Sequence, residues 1–154
     1  QVVASPKPQQ IVEIETVKAL MNAGHAVIAA GGGGIPVVQE ENFHLKGVPA
    51  VIDKDFASER MAEQLDADML IILTAVEKVA INYRKENEQW LSELTPEQAR
   101  RYAAEGQFAP GSMLPKVEAA VKFAESKPGR KALITLLEKA KDGIAGKTGT
   151  TIHQ

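Results

Sequence analysis

Four consecutive glycines, Gly31-Gly32-Gly33-Gly34, follow directly on the apolar run Ala26-Val27-Ile28-Ala29-Ala30, and Ile35-Pro36-Val37-Val38 follows them. A residue that lacks a Cβ and tolerates φ > 0 lets the backbone come close to a ligand and can turn several N–H groups toward one anion. Such a run is either a flexible turn or a ligand loop, and its place at the end of an apolar strand favours the loop. Two lysines stand at expected helix starts, Lys54 in Asp53-Lys54-Asp55 and Lys116 in Pro115-Lys116. Helix N-termini attract anions, and an ammonium group there adds a full positive charge. A single lysine is ordinarily a solvated surface charge. A glycine loop, two lysines and an aspartate together describe a phosphate-handling site.

Other chemistries are excluded or unsupported. There is no cysteine, which rules out disulfides, thiolate metal sites and a cysteine nucleophile. Gly146-Lys147-Thr148 resembles the end of a P-loop, but the first glycine of that pattern would fall on Lys141. His25, His44 and His153 lack metal-ligand spacing, and no Gly-x-Ser-x-Gly elbow occurs. The net charge of −2 gives no electrostatic footprint for nucleic acid or an anionic membrane. No apolar run approaches the roughly 18 residues of a membrane span. The start, Gln1-Val2-Val3-Ala4-Ser5-Pro6-Lys7-Pro8, has neither the basic and apolar regions of a signal peptide nor an initiator methionine. It reads as a piece of a longer polypeptide, and the absence of cysteine fits a reducing cytoplasm.

The elements that must position these groups follow from periodicity. Residues 9–23 carry Ile11, Val12, Ile14, Val17, Ala19, Leu20 and Met21 at helical steps, with Gly24 as the stop. Residues 26–30 read as a strand, 39–47 as loop with a short hairpin at 43–50, and 51–52 as a short strand. A helix is expected over 54–66, capped by aspartate. Met69-Leu70-Ile71-Ile72-Leu73 reads as a strand buried on both faces, and 79–83 as another strand. Residues 84–94 are polar surface around Trp90. Thr95-Pro96-Glu97-Gln98 fits a capping box opening a helix over 96–105, and Ser112 is the expected cap of a helix over 113–126. A strand at 131–135, a helical turn at 136–140 and a strand at 148–152 close the chain.

At 154 residues the chain is long enough for one domain that buries roughly 68–70% of its unfolded surface. The alternation of strands and helices predicts an α/β fold, with three α/β/α layers around a mostly parallel sheet. Ligands of such sheets bind beyond the carboxyl ends of the strands. That places interest on the glycine loop, on Thr74-Ala75-Val76 after strand 69–73, and on the segment after 131–135.

Five stretches carry a resemblance. They are Ala4-Ser5-Pro6-Lys7-Pro8, Gly31-Gly32-Gly33-Gly34-Ile35-Pro36-Val37, Val51-Ile52-Asp53-Lys54-Asp55-Phe56-Ala57-Ser58-Glu59, Ile72-Leu73-Thr74-Ala75-Val76, and Phe108-Ala109-Pro110-Gly111-Ser112-Met113-Leu114-Pro115-Lys116-Val117-Glu118. The chain resembles the carboxy-terminal half of carbamate kinases, within the amino acid kinase family. The resemblance implies that residues 1–154 are the nucleotide-binding half and that the amino-terminal half is absent. It implies reversible phosphoryl transfer, ATP plus carbamate giving ADP plus carbamoyl phosphate, with Mg²⁺ on the ATP phosphates and a place in arginine metabolism. It further implies that Lys54 and Lys116 flank the transferring group, that Asp55 orients them, and that Asp53 helps hold the loop. Gly31, Gly32 and Gly33 would face the acceptor. Thr74, Ala75, Val76, Val79 and Tyr83, with Gly111, Ser112 and Met113, would line the nucleotide beside Lys54 and Lys116. No metal ligands, nucleic acid or membrane partner are implied, and a cytoplasmic homodimer is.

Two other readings stand beside the kinase. One is a nucleotide-binding module without catalysis, against which the lysines at the transferring phosphate argue. The other is an interaction protein built on the 84–107 segment with Trp90 and Tyr102. Another member of the amino acid kinase family is a variant of the first reading.

Overall fold

A computed structural model describes residues 2–154; Gln1, the first residue of the expected half, and the side chain of Phe43 lie outside the described residues. The chain divides into two compact units, Gln1–Leu65 and Asp66–Gln154.

The first unit holds α1 (Ile14–Asn22), β1 (Val37–Gln39), β2 (Leu45–Gly47) and α2 (Lys54–Gln64). The helix expected from residue 9 starts only at Ile14, because the backbone before it is engaged elsewhere. The Ile11 amide donates to the Gln64 side chain at 2.8 Å and the Gln9 carbonyl accepts from Arg60 at 2.7 Å. At its far end the Gly24 amide donates to the Met21 carbonyl and the His25 amide to the Leu20 carbonyl, the reciprocal closure that a left-handed glycine permits. β1 and β2 pair antiparallel across a 3₁₀ turn at Glu41–Phe43 in which Asn42 takes φ 63°. The hairpin therefore uses Val37–Gln39 as its first arm and lies earlier than the expected 43–50. Two expected strands are absent among the described residues. Val51-Ile52 forms none, and beside it a single parallel bridge joins Ala4 to Ala50. Residues 26–30 form no strand, for want of a neighbouring strand to bond them.

The second unit holds β3 (Met69–Thr74), β4 (Val79–Ile81), β5 (Gln89–Leu91), β6 (Glu93–Leu94), α3 (Pro96–Ala104), α4 (Met113–Glu125), β7 (Lys131–Leu136), α5 (Ala140–Ile144) and β8 (Thr150–His153). Its sheet runs β3-β7-β8-β6. β3–β7 and β6–β8 pair in parallel and β7–β8 antiparallel, so the sheet is mixed but mostly parallel, as expected. Residues 132–135 of β7 are sealed on both faces. α5 covers the Leu133 and Thr135 side, where Gly143 sits so close that a Cβ would lie 3.0 Å from Leu133. α4 packs across β3, β7 and β8, and α3 packs on α4, which completes helix, sheet and helix layers. Ala119, Ala120, Phe123 and Ala124 of α4 are wholly buried; three alanines let the helix lie close and the one large ring fills the layer.

β3 departs from its expectation. Leu70 and Ile72 are buried but Leu73 is exposed, because β3 is an edge of this sheet rather than an interior strand. The polar 84–94 stretch holds β5, paired with β4, and β6, whose Leu94 is fully buried. The expected strand 79–83 stops at Ile81, since Asn82 and Arg84 take φ of 52° and 62°. The capping box on α3 is present in full, with Thr95 and Gln98 exchanging hydrogen bonds at 3.2 and 3.0 Å. Among the described residues no helix is long and apolar enough to cross a membrane.

Candidate active site

In the first unit the glycine turn and the start of α2 are packed against each other. Gly33 has φ 144°, and a Cβ built there would lie 1.9 Å from the Ile52 carbonyl oxygen and 3.5 Å from the Lys54 amide nitrogen. Only glycine fits this approach. The turn is closed by bonds of 2.8 Å from the Gly31 amide to the Ala29 carbonyl and from the Gly33 amide to the Ala30 carbonyl. The tetraglycine is thus an ordered turn seated on the 52–54 backbone, and Gly31 and Gly32 on it are exposed.

Asp53 caps α2, its carboxylate accepting from the Asp55 amide at 2.8 Å. That cap fixes the direction in which the next two side chains leave. Lys54, the first helical residue, stays 57% exposed, while the Asp55 carboxylate is buried and accepts from the Lys54 ammonium at 3.4 Å. Asp55 and Lys54 thus form an ion pair at the start of α2. A cation that sequence reasoning used only as a carrier of resemblance joins this end of the helix. The Lys7 ammonium lies 4.4 Å from the centre of the Phe56 ring. Lysine between two prolines, Pro6-Lys7-Pro8, was the available signal, since prolines stiffen the chain that carries it.

In the second unit the parallel strands β3 and β7 end together, with Thr74 opposite Leu136. Thr74 is half-buried, and Ala75 and Val76 begin the bend that leads to β4. Val79 is fully enclosed, and its amide donates to the Thr150 hydroxyl at 2.8 Å. Tyr83 is exposed, edge-on to Trp90 at 6.0 Å, with the Arg84 guanidinium 5.3 Å from its ring. The Asn82 amide donates to the Gln107 side chain at 2.8 Å, which ties the end of β4 to the segment leading into α4.

At the start of α4 the Ala109 carbonyl accepts from the amides of Ser112, Met113 and Leu114 at 3.2, 3.1 and 3.0 Å. Ser112 occupies the cap position but makes no side-chain cap bond, contrary to expectation; the Ala109 carbonyl has already engaged the leading amides. Gly111 and Ser112 are exposed. Lys116 is only 9% exposed. α4 thus offers an anion few free amides in its first turn, and its positive charge rests on the largely buried Lys116. Among the described residues no three of His, Cys, Asp or Glu gather to hold a metal ion.

The model of the amino acid kinase family matches residues 2–135. The chain is 68% identical to the carbamate kinase-like protein YqeA of Escherichia coli K12 over its whole length, which is 49% of that protein. It is 55% identical to the carbamate kinase of Clostridium perfringens, covering 99% of this chain and 48% of that one. The solved carbamate kinase of Giardia lamblia bound to AMP-PNP superposes with a TM-score of 0.93 at 43% identity, over 99% of this chain and 48% of the other. The chain spans about half the length of the curated relatives it matches.

Proposed function

The chain belongs to the amino acid kinase family, and from that premise we propose that it is the nucleotide-binding, carboxy-terminal half of a carbamate kinase. The reaction is reversible transfer of a phosphoryl group between ATP and carbamate, giving ADP and carbamoyl phosphate. The observation that carries this reading is the seating of Gly33 on the backbone that leads to Lys54. It sets a bare peptide turn against the backbone from which Lys54 leaves, and a peptide turn together with an ammonium group is what a migrating PO₃ unit requires. The transition state of phosphoryl transfer spreads negative charge over its oxygens, so fixed donors are needed and no residue has to act as nucleophile.

In this reading Lys54, oriented by Asp55, and Lys116 flank the transferring group, and Asp53 holds the turn before α2. Gly31, Gly32 and Gly33 face the carbamate. Thr74, Ala75, Val76 and Tyr83, with Gly111, Ser112 and Met113, line the nucleotide, and Val79 supports that wall from the core. Mg²⁺ arrives on the phosphates of ATP as part of the substrate. The enzyme is a cytoplasmic homodimer working in arginine metabolism. The names of the relatives and the nucleotide analogue bound to the Giardia enzyme support this reading.

The test uses ADP titration by calorimetry, then ATP formation from ADP and carbamoyl phosphate. The chain alone is expected to bind ADP and to turn over little, and adding the other half of a relative is expected to raise turnover. Absence of ADP binding in both samples overturns the proposal.

A further inference from the structure

β4 and β5 form a two-stranded sheet of their own, apart from the sheet of β3, β7, β8 and β6. A hairpin this small is marginal unless something holds it. One side chain does so at its base. The Thr150 hydroxyl, on β8 and wholly buried, accepts from the Val79 amide at 2.8 Å and donates to the Leu91 carbonyl at 2.5 Å. Val79 and Leu91 are register partners, so a single hydroxyl engages both strands of the hairpin across one rung. Beyond the other end of β4 the Asn82 amide donates to the Gln107 side chain at 2.8 Å. The hairpin so held carries Trp90, and the exposed ring of Tyr83 stands edge-on to it. Thr150 has no surface of its own to offer a substrate, so any effect it has on the site runs through the hairpin.

We propose that Thr150 is a positioning residue for nucleotide binding, holding the β4–β5 hairpin so that Tyr83 and Trp90 stand together at one edge of the nucleotide. This rests on the reading above for the place of the nucleotide, and not for the reaction assigned to it. β4 starts just beyond the carboxyl end of β3, the side of a parallel sheet on which ligands bind. Aromatic rings there offer a nucleobase a stacking face. Without the hydroxyl, the Val79 amide is left buried and unbonded, which costs more than the bond itself contributes. The hairpin then spends part of its time away from the binding position, and the apparent affinity falls by that fraction.

Trp90 is the sole tryptophan of the chain, so its emission reports on the hairpin directly. ADP is titrated into the chain and followed by calorimetry and by tryptophan emission, and kcat and KM for ADP are measured in a polypeptide carrying both halves. ADP is expected to shift the emission of Trp90. Thr150→Val keeps the shape and removes the hydroxyl. It is expected to weaken ADP binding and raise KM for ADP about tenfold, with kcat held within about twofold. Thr150→Ser keeps the hydroxyl and is expected to bind ADP within about twofold of the unaltered chain. If Thr150→Val does not fold, Gln107→Met decides in its place: it removes the acceptor of the Asn82 amide, and about threefold weaker ADP binding is expected. Binding of ADP in the calorimeter with no change in Trp90 emission overturns the proposal. So does normal ADP affinity in the variant that folds, a loss confined to kcat, or a loss that Thr150→Ser shares in full. The expected losses without ATP formation leave this inference standing and remove the reaction proposed above, whereas no ADP binding by the unaltered chain removes both.

Discussion

The two units carry one lysine each to the proposed chemistry and hold it in opposite ways. In Gln1–Leu65 the strands are three residues long, Ile28 and Ile35 face solvent, and Lys54 is exposed on a buried aspartate. In Asp66–Gln154 a four-stranded sheet lies between helices, and Lys116 is almost enclosed in α4. The difference is one of how position is enforced. The second unit fixes its groups by a dry core. The first fixes them by backbone fit, a glycine pressed on a carbonyl and an aspartate capping a helix.

Gly33→Ala is the sharpest way to break that contrast. A methyl group 1.9 Å from the Ile52 oxygen can be relieved only by moving backbone. A loss of at least about 4 kcal/mol is expected in the first unit, read as collapse of amide protection in α2 while α4 and β7 keep theirs. Phe123→Ala is the counterpart in the second unit. It empties a fully buried site and removes the ring beneath the Arg130 guanidinium, 5.1 Å away. About 3–5 kcal/mol is expected from the cavity, read in urea unfolding of β7 and α4, with α2 unaffected. If either change unfolds both units equally, the division of labour is wrong.

The lysines sharpen the comparison at the level of chemistry. Lys54→Ala and Lys116→Ala, each made in a polypeptide carrying both halves, are expected to lower kcat by on the order of 10²–10³, the usual loss of one charge-stabilising donor. Their side effects should differ. Lys54 is exposed, so its removal leaves the melting temperature nearly unchanged. Lys116 is buried, so its removal also lowers the melting temperature by a few degrees, on the order of 1 kcal/mol. Near-normal kcat in both variants would sink the assignment of these residues.

The second unit was the more legible in sequence. The capping box of α3, the apolar face of α4 and the runs of β3 and β7 are local signals, and the structure uses each of them. Where the reading failed there, tertiary pairing decided. Leu94 looked like surface because its neighbours are polar, yet β6 is taken up beside β8. The first unit was legible in its special residues and poorly legible in its strands. Asp53 as cap follows from residue chemistry alone, and so does a loop at the glycine run, whereas its closure as an ordered turn seated on Ile52 does not. Residues 26–30 read as a strand because side-chain pattern reports which surface a segment suits, and pattern carries no information on whether the matching strand is present. Of the proposed site, the glycine loop and the lysine at the start of α2 were read from residue type and spacing and the pairing of Asp55 with Lys54 only from the resemblance, whereas the Ala109 carbonyl that takes up three amides before α4 has no sequence signature.

A smaller effect separates a local device from a core one. Asp53→Ala removes the carboxylate that accepts from the Asp55 amide. About 1 kcal/mol is expected, the ordinary value of an N-cap, measured as faster exchange in the first turn of α2. The same change should leave α3 alone, whose own cap is intact.

The smallest expected effect depends on pH and lies at the start of the second unit. Asp66 takes φ 53° and its carboxylate accepts from Lys127 at 2.9 Å and from Arg130 at 2.6 Å. The hydrogen bond from Lys127 and its charge outweigh the opposing cost of desolvation and, with smaller contributions from the charge and hydrogen bond of Arg130, hold the Asp66 carboxyl below its ordinary range. A carboxyl whose folded value is lowered binds fewer protons folded than unfolded. Its contribution to stability is therefore present above the ordinary aspartate range and is lost as pH falls through the lowered value. Asp66→Asn keeps a side chain that tolerates left-handed backbone, so the substitution tests charge rather than conformation. The urea midpoint of the second unit should be slightly lower in the variant at pH 7, and the gap should close as pH falls below the aspartate range. A gap that is constant with pH would mean that Asp66 acts through its backbone and not through its charge.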